Sequence, residues 1–218
     1  MNAPLRICVP LGALLPGTLD LLERSGLDVG VVRNPGRKLA LEAPDGTVFI
    51  TTRPSDVPTY VEAGAADIGI SGRDVLVERV PDVYELLDLG YGECRMSYCT
   101  RAGEDPTPGA LDRLGVVRVA TKYPRSAAQH FARVGRQVEL VKVNGSVELA
   151  ALVGLAHGIV DLVATGTTLC ENGLVEREVI FESSARLIAN RASYTLRAER
   201  IGAVLDAMRA VVKEGVRE

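Results

Sequence analysis

Short apolar runs alternate with stretches of helical periodicity along almost the whole chain, and this alternation constrains the fold most. Leu5–Val9, Val29–Val32, Asp67–Ile70, Val83–Leu89 and Arg95–Thr100 read as strands. Val116–Ala120, Val138–Val143, Ile159–Val163 and Val175–Phe181 continue the series. Runs rich in Val, Ile and Leu, bounded by turn residues, suit strands buried on both faces. Leu14–Arg24 places Leu15, Leu19 and Leu22 on one helical stripe, which Gly26 ends. Ser55 or Asp56 can cap a short helix through Glu62, closed by Gly64, and Ser71-Gly72-Arg73-Asp74 opens another. Arg125–Val134, Val147–Ala156 and a last segment at about Tyr194–Lys213 are also helical in pattern. Asp45-Gly46, between Leu39–Glu42 and Thr47–Ile50, signals a hairpin. Strands alternating with helices imply an α/β protein with mostly parallel sheet covered on both faces.

The turn-rich stretch Arg101–Gly109 divides the pattern, and 218 residues suit one large domain or two small lobes. Ligands of open α/β sheets sit beyond the carboxyl ends of the strands, so two such lobes would share a cleft. With a net charge of −3, no Lys/Arg-rich run, 4% aromatic residues and no Trp, the chain is poorly equipped for nucleic acid. Neither a signal peptide nor an apolar run near the ~20 residues of a membrane span is present, so a cytoplasmic protein is expected. Cys8, Cys94, Cys99 and Cys170 show no C-x-x-C spacing, and only His130 and His157 could accompany them. That set argues against an ordinary zinc site and for thiols used as small apolar side chains.

Ile159–Leu169 carries the most chemistry: an apolar strand runs into Ala164-Thr165-Gly166-Thr167-Thr168 and then a helix start. Glycine lets the backbone approach a ligand, the first N–H groups of a helix are unpaired, and the helix dipole favours an anion. Three threonine hydroxyls add donors, giving a phosphate cradle without the lysine of a P-loop. A threonine-capped turn that binds nothing is the plainer alternative. Just upstream, Ser146 can cap a helix at Val147 and Glu148 falls in its first turn. Glu148 and Asp161 would serve sugar hydroxyls or a Mg²⁺ held mainly by water and phosphate oxygens; alternatively Glu148 only complements the helix dipole. Arg33 and Arg53 lie on proline-stiffened loops of the first half and are shaped for bidentate phosphate contact.

These residues resemble the short form of the ATP phosphoribosyltransferases that begin histidine biosynthesis. Arg53–Glu62, Ala65–Asp74, Asp82–Gly90 and Arg118–Pro124 are similar to successive family segments. Asn144–Leu155 joined to Asp161–Leu169 resembles the phosphoribosyl-pyrophosphate signature. The resemblance implies a two-lobed fold like type II periplasmic binding proteins, with lobe I at 1–93 plus 182–218 and lobe II at 94–181. It implies that ATP and phosphoribosyl pyrophosphate give N1-phosphoribosyl-ATP and pyrophosphate, with Mg²⁺. By the same resemblance Glu148, Asp161, Thr165, Gly166, Thr167, Thr168 and Leu169 hold the activated sugar. Gly12, Ser71 and Asp74 would contact ATP, and Arg33 and Arg53 would act in catalysis. The short form carries no additional regulatory domain, so the resemblance implies as partner a subunit resembling histidyl-tRNA synthetase, with a homodimer of this chain inside a larger hetero-oligomer. One segment departs from the family: Pro10-Leu11-Gly12-Ala13-Leu14 lacks the two basic side chains usual beside the glycine. Ala164 also stands where an acidic residue is frequent. The alternative is a catalytically weak or non-enzymatic phosphate-binding subunit of the same fold.

Overall fold

The computed structural model describes residues 4–215 apart from 104, 106–108, 111–112 and 114, so part of the expected 101–109 loop lies outside the described residues. The elements are β1 (Arg6–Pro10), a 3-10 turn (Gly12–Leu14), α1 (Leu15–Arg24), α2 (Gly30–Arg33), β2 (Ala40–Glu42), β3 (Val48–Thr52), α3 (Val57–Glu62), β4 (Ile68–Gly72), α4 (Arg73–Arg79) and β5 (Val83–Asp88). They continue with β6 (Cys94–Arg101), β7 (Arg118–Thr121), α5 (Pro124–Arg133), β8 (Glu139–Lys142), α6 (Glu148–Leu152), β9 (Gly158–Val163), α7 (Thr167–Glu171) and β10 (Leu174–Ser183). The last are β11 (Ala185–Asn190), α8 (Arg191–Leu196) and α9 (Ala198–Gly215). Two compact units result: the chain up to Gly92 joined by the segment from Ser184 onward, and Glu93–Ser183. No helix among the described residues is long and apolar enough to cross a membrane.

The first unit has a six-stranded sheet in the order β2-β3-β1-β4-β11-β5. β1 is central and parallel to β3 and β4, and its alternating side chains feed both faces. Ile7 and Val9 join Leu19 and Leu22 of α1 and Ile201, Leu205 and Met208 of α9 in the main core. Cys8, on the other face, packs with Val57 and Val61 of α3. α3 lies so close that a Cβ at Gly69 would come within 2.8 Å of both valines. Burial pushes the Cys8 thiol up to about 12, so it serves as packing rather than as a nucleophile. The Asp45-Gly46 hairpin forms with Gly46 left-handed and Asp45 Oδ1 accepting the Thr47 N–H at 2.9 Å.

Val29–Val32 is no strand: Asp28 Oδ1 accepts the Gly30 N–H at 2.9 Å, and Val29 and Val32 enter the core at helical spacing. A four-residue apolar run does not distinguish the two periods. The sheets are mixed rather than mostly parallel: β11, absent from the expected strands, inserts antiparallel between β4 and β5, and β6 runs antiparallel to β9 and β10. The single terminal helix is two helices. Asn190 caps α8 by accepting the Ser193 N–H at 2.9 Å. Arg197 then leaves helical geometry and donates to Asp67 Oδ2 at 3.1 Å.

The second unit has a five-stranded sheet in the order β10-β6-β9-β7-β8. β9, β7 and β8 run parallel, whereas β6 is antiparallel to both β9 and β10. One face buries Tyr98 edge-on against Phe131 of α5, their ring centroids 5.3 Å apart. Gly158 makes room for that ring, since a Cβ there would lie 2.5 Å from it. The other face carries Cys99, Ile159 and Val163 against Ala150 and Ala151 of α6 and Leu169 of α7. The candidate phosphate turn leaves the sheet on this second face.

Candidate active site

β9 passes Ala164, Thr165 and Gly166 into α7. Gly166 takes the left-handed conformation at φ +82°, which its missing Cβ permits cheaply. The first bond of the helix runs from the Cys170 N–H to the Gly166 carbonyl at 3.0 Å. The N–H groups of Thr168 and Leu169 therefore lie ahead of the ladder and find no acceptor among the described residues. The hydroxyl oxygens of Thr165 and Thr167 stand 2.9 Å apart, and the Thr167 N–H leans on Thr165 Oγ1 at 3.4 Å. All three threonines are exposed, whereas the Leu169 side chain is buried and anchors the turn. Leu169 thus offers a ligand its backbone, not its side chain.

Asp161 alternates with Ile159 and Val163 and so lies on the face of β9 that carries α6 and α7. Its Oδ1 accepts the Leu162 N–H at 2.9 Å. Glu148 is the first residue of α6 and is half-buried. The expected Ser146 cap does not form: buried Val147 holds the cap position, and α6 starts at Glu148 and stops at Leu152. Packing of Val147, Ala150 and Ala151, rather than a hydroxyl cap, fixes this short helix.

Arg95 escapes a reading of the sequence. It sits near the start of β6 opposite Val163, and its guanidinium reaches the turn itself. Nε donates to Glu176 Oε2 of β10 at 2.8 Å, and Nη1 donates to the Ala164 carbonyl at 3.1 Å. A lone arginine at a strand start gives no local signal of a partner 69 residues on. Two positions further, Ser97 is fully buried opposite Asp161, and its hydroxyl has no partner among the described residues. Burial first, and then the charges of Glu176 and Asp161, push the Cys99 thiol up to about 12. The histidines are structural: His130 Nε2 lies 3.0 Å from Glu178 Oε2, and His157 Nδ1 accepts the Arg118 N–H at 2.9 Å.

The first unit holds the remaining candidates. Gly12 is exposed at φ +78°, with nothing within 4 Å of where a Cβ would be. Ser71 is the penultimate residue of β4 and is fully buried, with an unpartnered hydroxyl. Asp74 is buried in the first turn of α4, and a Cβ on Gly72 would meet its Oδ1 at 2.2 Å. The missing side chain of Gly72 thus lets the carboxylate fold back over the turn. Arg53 follows β3, is exposed and makes no side-chain bond among the described residues, though its carbonyl accepts the Asp56 N–H at 2.9 Å. Arg33 differs: it ends α2 rather than lying on a loop, and Nη2 is 2.6 Å from Glu23 Oε2.

The ATP phosphoribosyltransferase family model matches residues 53–210. The ATP phosphoribosyltransferase of Rubrobacter xylanophilus is 52% identical over 202 residues, covering 92% of this chain and 93% of that protein. That of Symbiobacterium thermophilum is 51% identical over 213 residues, 96% of each. Among solved structures, the ATP phosphoribosyl transferase (HisG:HisZ) complex from Thermotoga maritima superposes with a TM-score of 0.82 at 30% identity, over 96% of this chain and 99% of that one. The Escherichia coli periplasmic aliphatic sulphonate binding protein matches at a TM-score of 0.61 and 11% identity, over 97% and 73% of the chains, a likeness of fold alone. With α/β lobes of the periplasmic-binding-protein type and a length matching these relatives, the chain belongs to the ATP phosphoribosyltransferase family in its short form.

Proposed function

We propose that the turn Thr165–Leu169 grips the 5-phosphate of phosphoribosyl pyrophosphate, and that Asp161 and Glu148 place its ribose for attack by ATP. The chain is a catalytic ATP phosphoribosyltransferase, acting at the first step of histidine biosynthesis. The C1–oxygen bond to pyrophosphate breaks as the lone pair of adenine N1 forms the new C1–nitrogen bond. Pyrophosphate leaves with the electron pair, and N1 needs no proton removed before it attacks. The demand is electrostatic: positive charge builds on the sugar while two polyanions share one site. The observation that carries this reading is the set of unpaired N–H groups and exposed hydroxyls around left-handed Gly166. Such donors suit a phosphate without a lysine.

In the first unit, Gly12, Ser71 and Asp74 are assigned to ATP. The unpartnered Ser71 hydroxyl is the observation favouring this, since a buried orphan gains from a ligand acceptor. Arg33 and Arg53 are assigned to the departing and triphosphate oxygens. Arg53 has its full charge available, and Arg33 must first give up Glu23.

Among the described residues no group of three or more His, Cys, Asp or Glu forms a metal cage. Mg²⁺ does not need one, because it keeps several waters and takes one or two carboxylates plus substrate phosphates. Asp161 and Glu148 offer such oxygens, so the donor set fits Mg²⁺ carried with the substrate. When bound, the ion would offset negative charge on pyrophosphate.

Cytoplasmic location, a histidyl-tRNA-synthetase-like regulatory partner and a homodimer within the hetero-oligomer belong to the same proposal. The HisG:HisZ composition of the Thermotoga relative supports the partner. A non-enzymatic or catalytically weak subunit is not favoured, as relatives at 51–52% identity are transferases by name. Thr168→Val tests the cradle. Its exposed hydroxyl is lost without a packing change, and a charge-assisted bond is worth roughly 10- to 100-fold in affinity. Calorimetry should show that weakening for phosphoribosyl pyrophosphate; an unchanged Kd refutes the assignment.

A further inference from the structure

Arg95 touches the turn from behind, and none of the chemistry above uses it. Its guanidinium, about one-third exposed, ties together three parts of the second unit: its own strand, Glu176 on β10 and the Ala164 carbonyl after β9. Ala164 is the last residue before the threonine turn. Its carbonyl and the Thr165 N–H belong to one peptide plane, and no cis peptide is present, so the two bonds point in opposite directions. A guanidinium that holds the carbonyl on one side therefore holds the Thr165 N–H on the other. That N–H finds no acceptor among the described residues, and the residue after it is the left-handed Gly166. Glycine samples many conformations at little cost, so the sequence of this turn does not by itself fix which way its donors point. A rigid fork with two donors can fix it, provided its second arm is anchored, and Glu176 is that anchor.

We infer that Arg95, locked by Glu176, is a positioning residue for the transfer reaction: by holding the Ala164–Thr165 peptide it presents the turn's donors already arranged for a sugar phosphate. The inference rests on the reading of Thr165–Leu169 as the 5-phosphate cradle. A binding turn held in place does not have to be ordered when the ligand arrives, and slack in such a support is felt at the ligand.

The test uses the full chain, with its regulatory subunit where activity requires one. It measures the Kd of phosphoribosyl pyrophosphate with Mg²⁺ and the KM of ATP. Arg95→Met keeps the aliphatic stem and removes the fork. It should weaken phosphoribosyl pyrophosphate about 10- to 100-fold while the KM of ATP stays within about twofold. Arg95→Lys, which retains one donor and the charge, should recover part of that loss. Glu176→Gln leaves an acceptor but no charge and should cost less, about threefold. Should Arg95→Met fail to fold, Glu176→Gln decides: a weaker Kd supports the tether and an unchanged one overturns it. Equal losses for both substrates would make Arg95 a general structural residue and overturn the inference too. Thr168→Val separates the two layers. If it weakens binding while the Arg95 and Glu176 variants bind normally, only the tether is wrong; if it too binds normally, the cradle is wrong.

Discussion

Replacing Asp67 by asparagine would remove one charge from the heart of the first unit. The residue is fully buried, and its carboxylate collects four donors. They are the Ser193 hydroxyl at 2.7 Å, the Arg6 N–H at 2.8 Å, Arg197 Nη1 at 3.1 Å and Arg6 Nη2 at 3.3 Å. An amide keeps one acceptor oxygen and turns an NH₂ toward the remaining donors, so at least one close pair becomes repulsive. Charge-assisted bonds contribute about 1.5–3 kcal/mol each, without simple additivity. Arg6 and Arg197 retain water contact at 36% and 25% exposure, which discounts the sum. A net loss of about 3 kcal/mol, the low end for breaking a buried pair, follows. At roughly 2–4 °C per kcal/mol for a chain of this size, Tm should fall by about 6–12 °C at pH 7.

The same site sets a pH dependence. Burial raises the Asp67 pKa, but the Ser193 hydroxyl, the Arg6 N–H and guanidinium bonds and the Arg6 charge together outweigh it, and the net shift is downward. A folded pKa below the unfolded one means the contribution is complete above the unfolded value near ~4 and fades as pH falls through the folded value. Thermal scans of both proteins from pH 7 to pH 3 should therefore show the gap shrinking in acid. A gap under about 2 °C at pH 7, or one that widens in acid, would refute the reasoning.

Arg53→Ala should lower kcat about 10²–10³-fold with Tm unchanged, because its side chain bonds to nothing among the described residues; near-normal turnover in a pyrophosphate-release assay removes it from catalysis. Gly166→Ala meets no steric barrier, the nearest atom to a new Cβ being Val163 Cγ1 at 3.9 Å, so its effect is conformational. Holding alanine left-handed costs about 1–2 kcal/mol, and phosphoribosyl pyrophosphate should bind roughly 5- to 30-fold more weakly by calorimetry.

The strand–turn–helix around Gly166 was legible because every determinant is local: β-branched residues, then a glycine, then threonines. So were the Asp45-Gly46 hairpin and most strands. What was not legible depends on distant pairing. β11 is a strand only because β4 and β5 lie on either side of it, and nothing in Ala185–Asn190 says so. The break at Arg197 reflects its reach to Asp67, 130 residues away. Arg95 and Ala164 meet only once the register of β6 on β9 is set. The pairing of Arg33 with Glu23 depends on α2, whose four residues are too few to show a helical period, and a loop position for Arg33 gives no sign of the carboxylate ten residues before it.

The late insertion of β11 also dictates an order of events during synthesis. Glu93–Ser183 is one uninterrupted stretch and can close its sheet as soon as it clears the ribosome, whereas the earlier-made half must wait for Asn190 before β4 and β5 are joined. At about 5–20 residues per second that wait lasts several seconds, with bare strand margins free to seek other partners. A chain released after Ser183 would carry a finished second unit on an unfinished first one, and would be a natural client for chaperones.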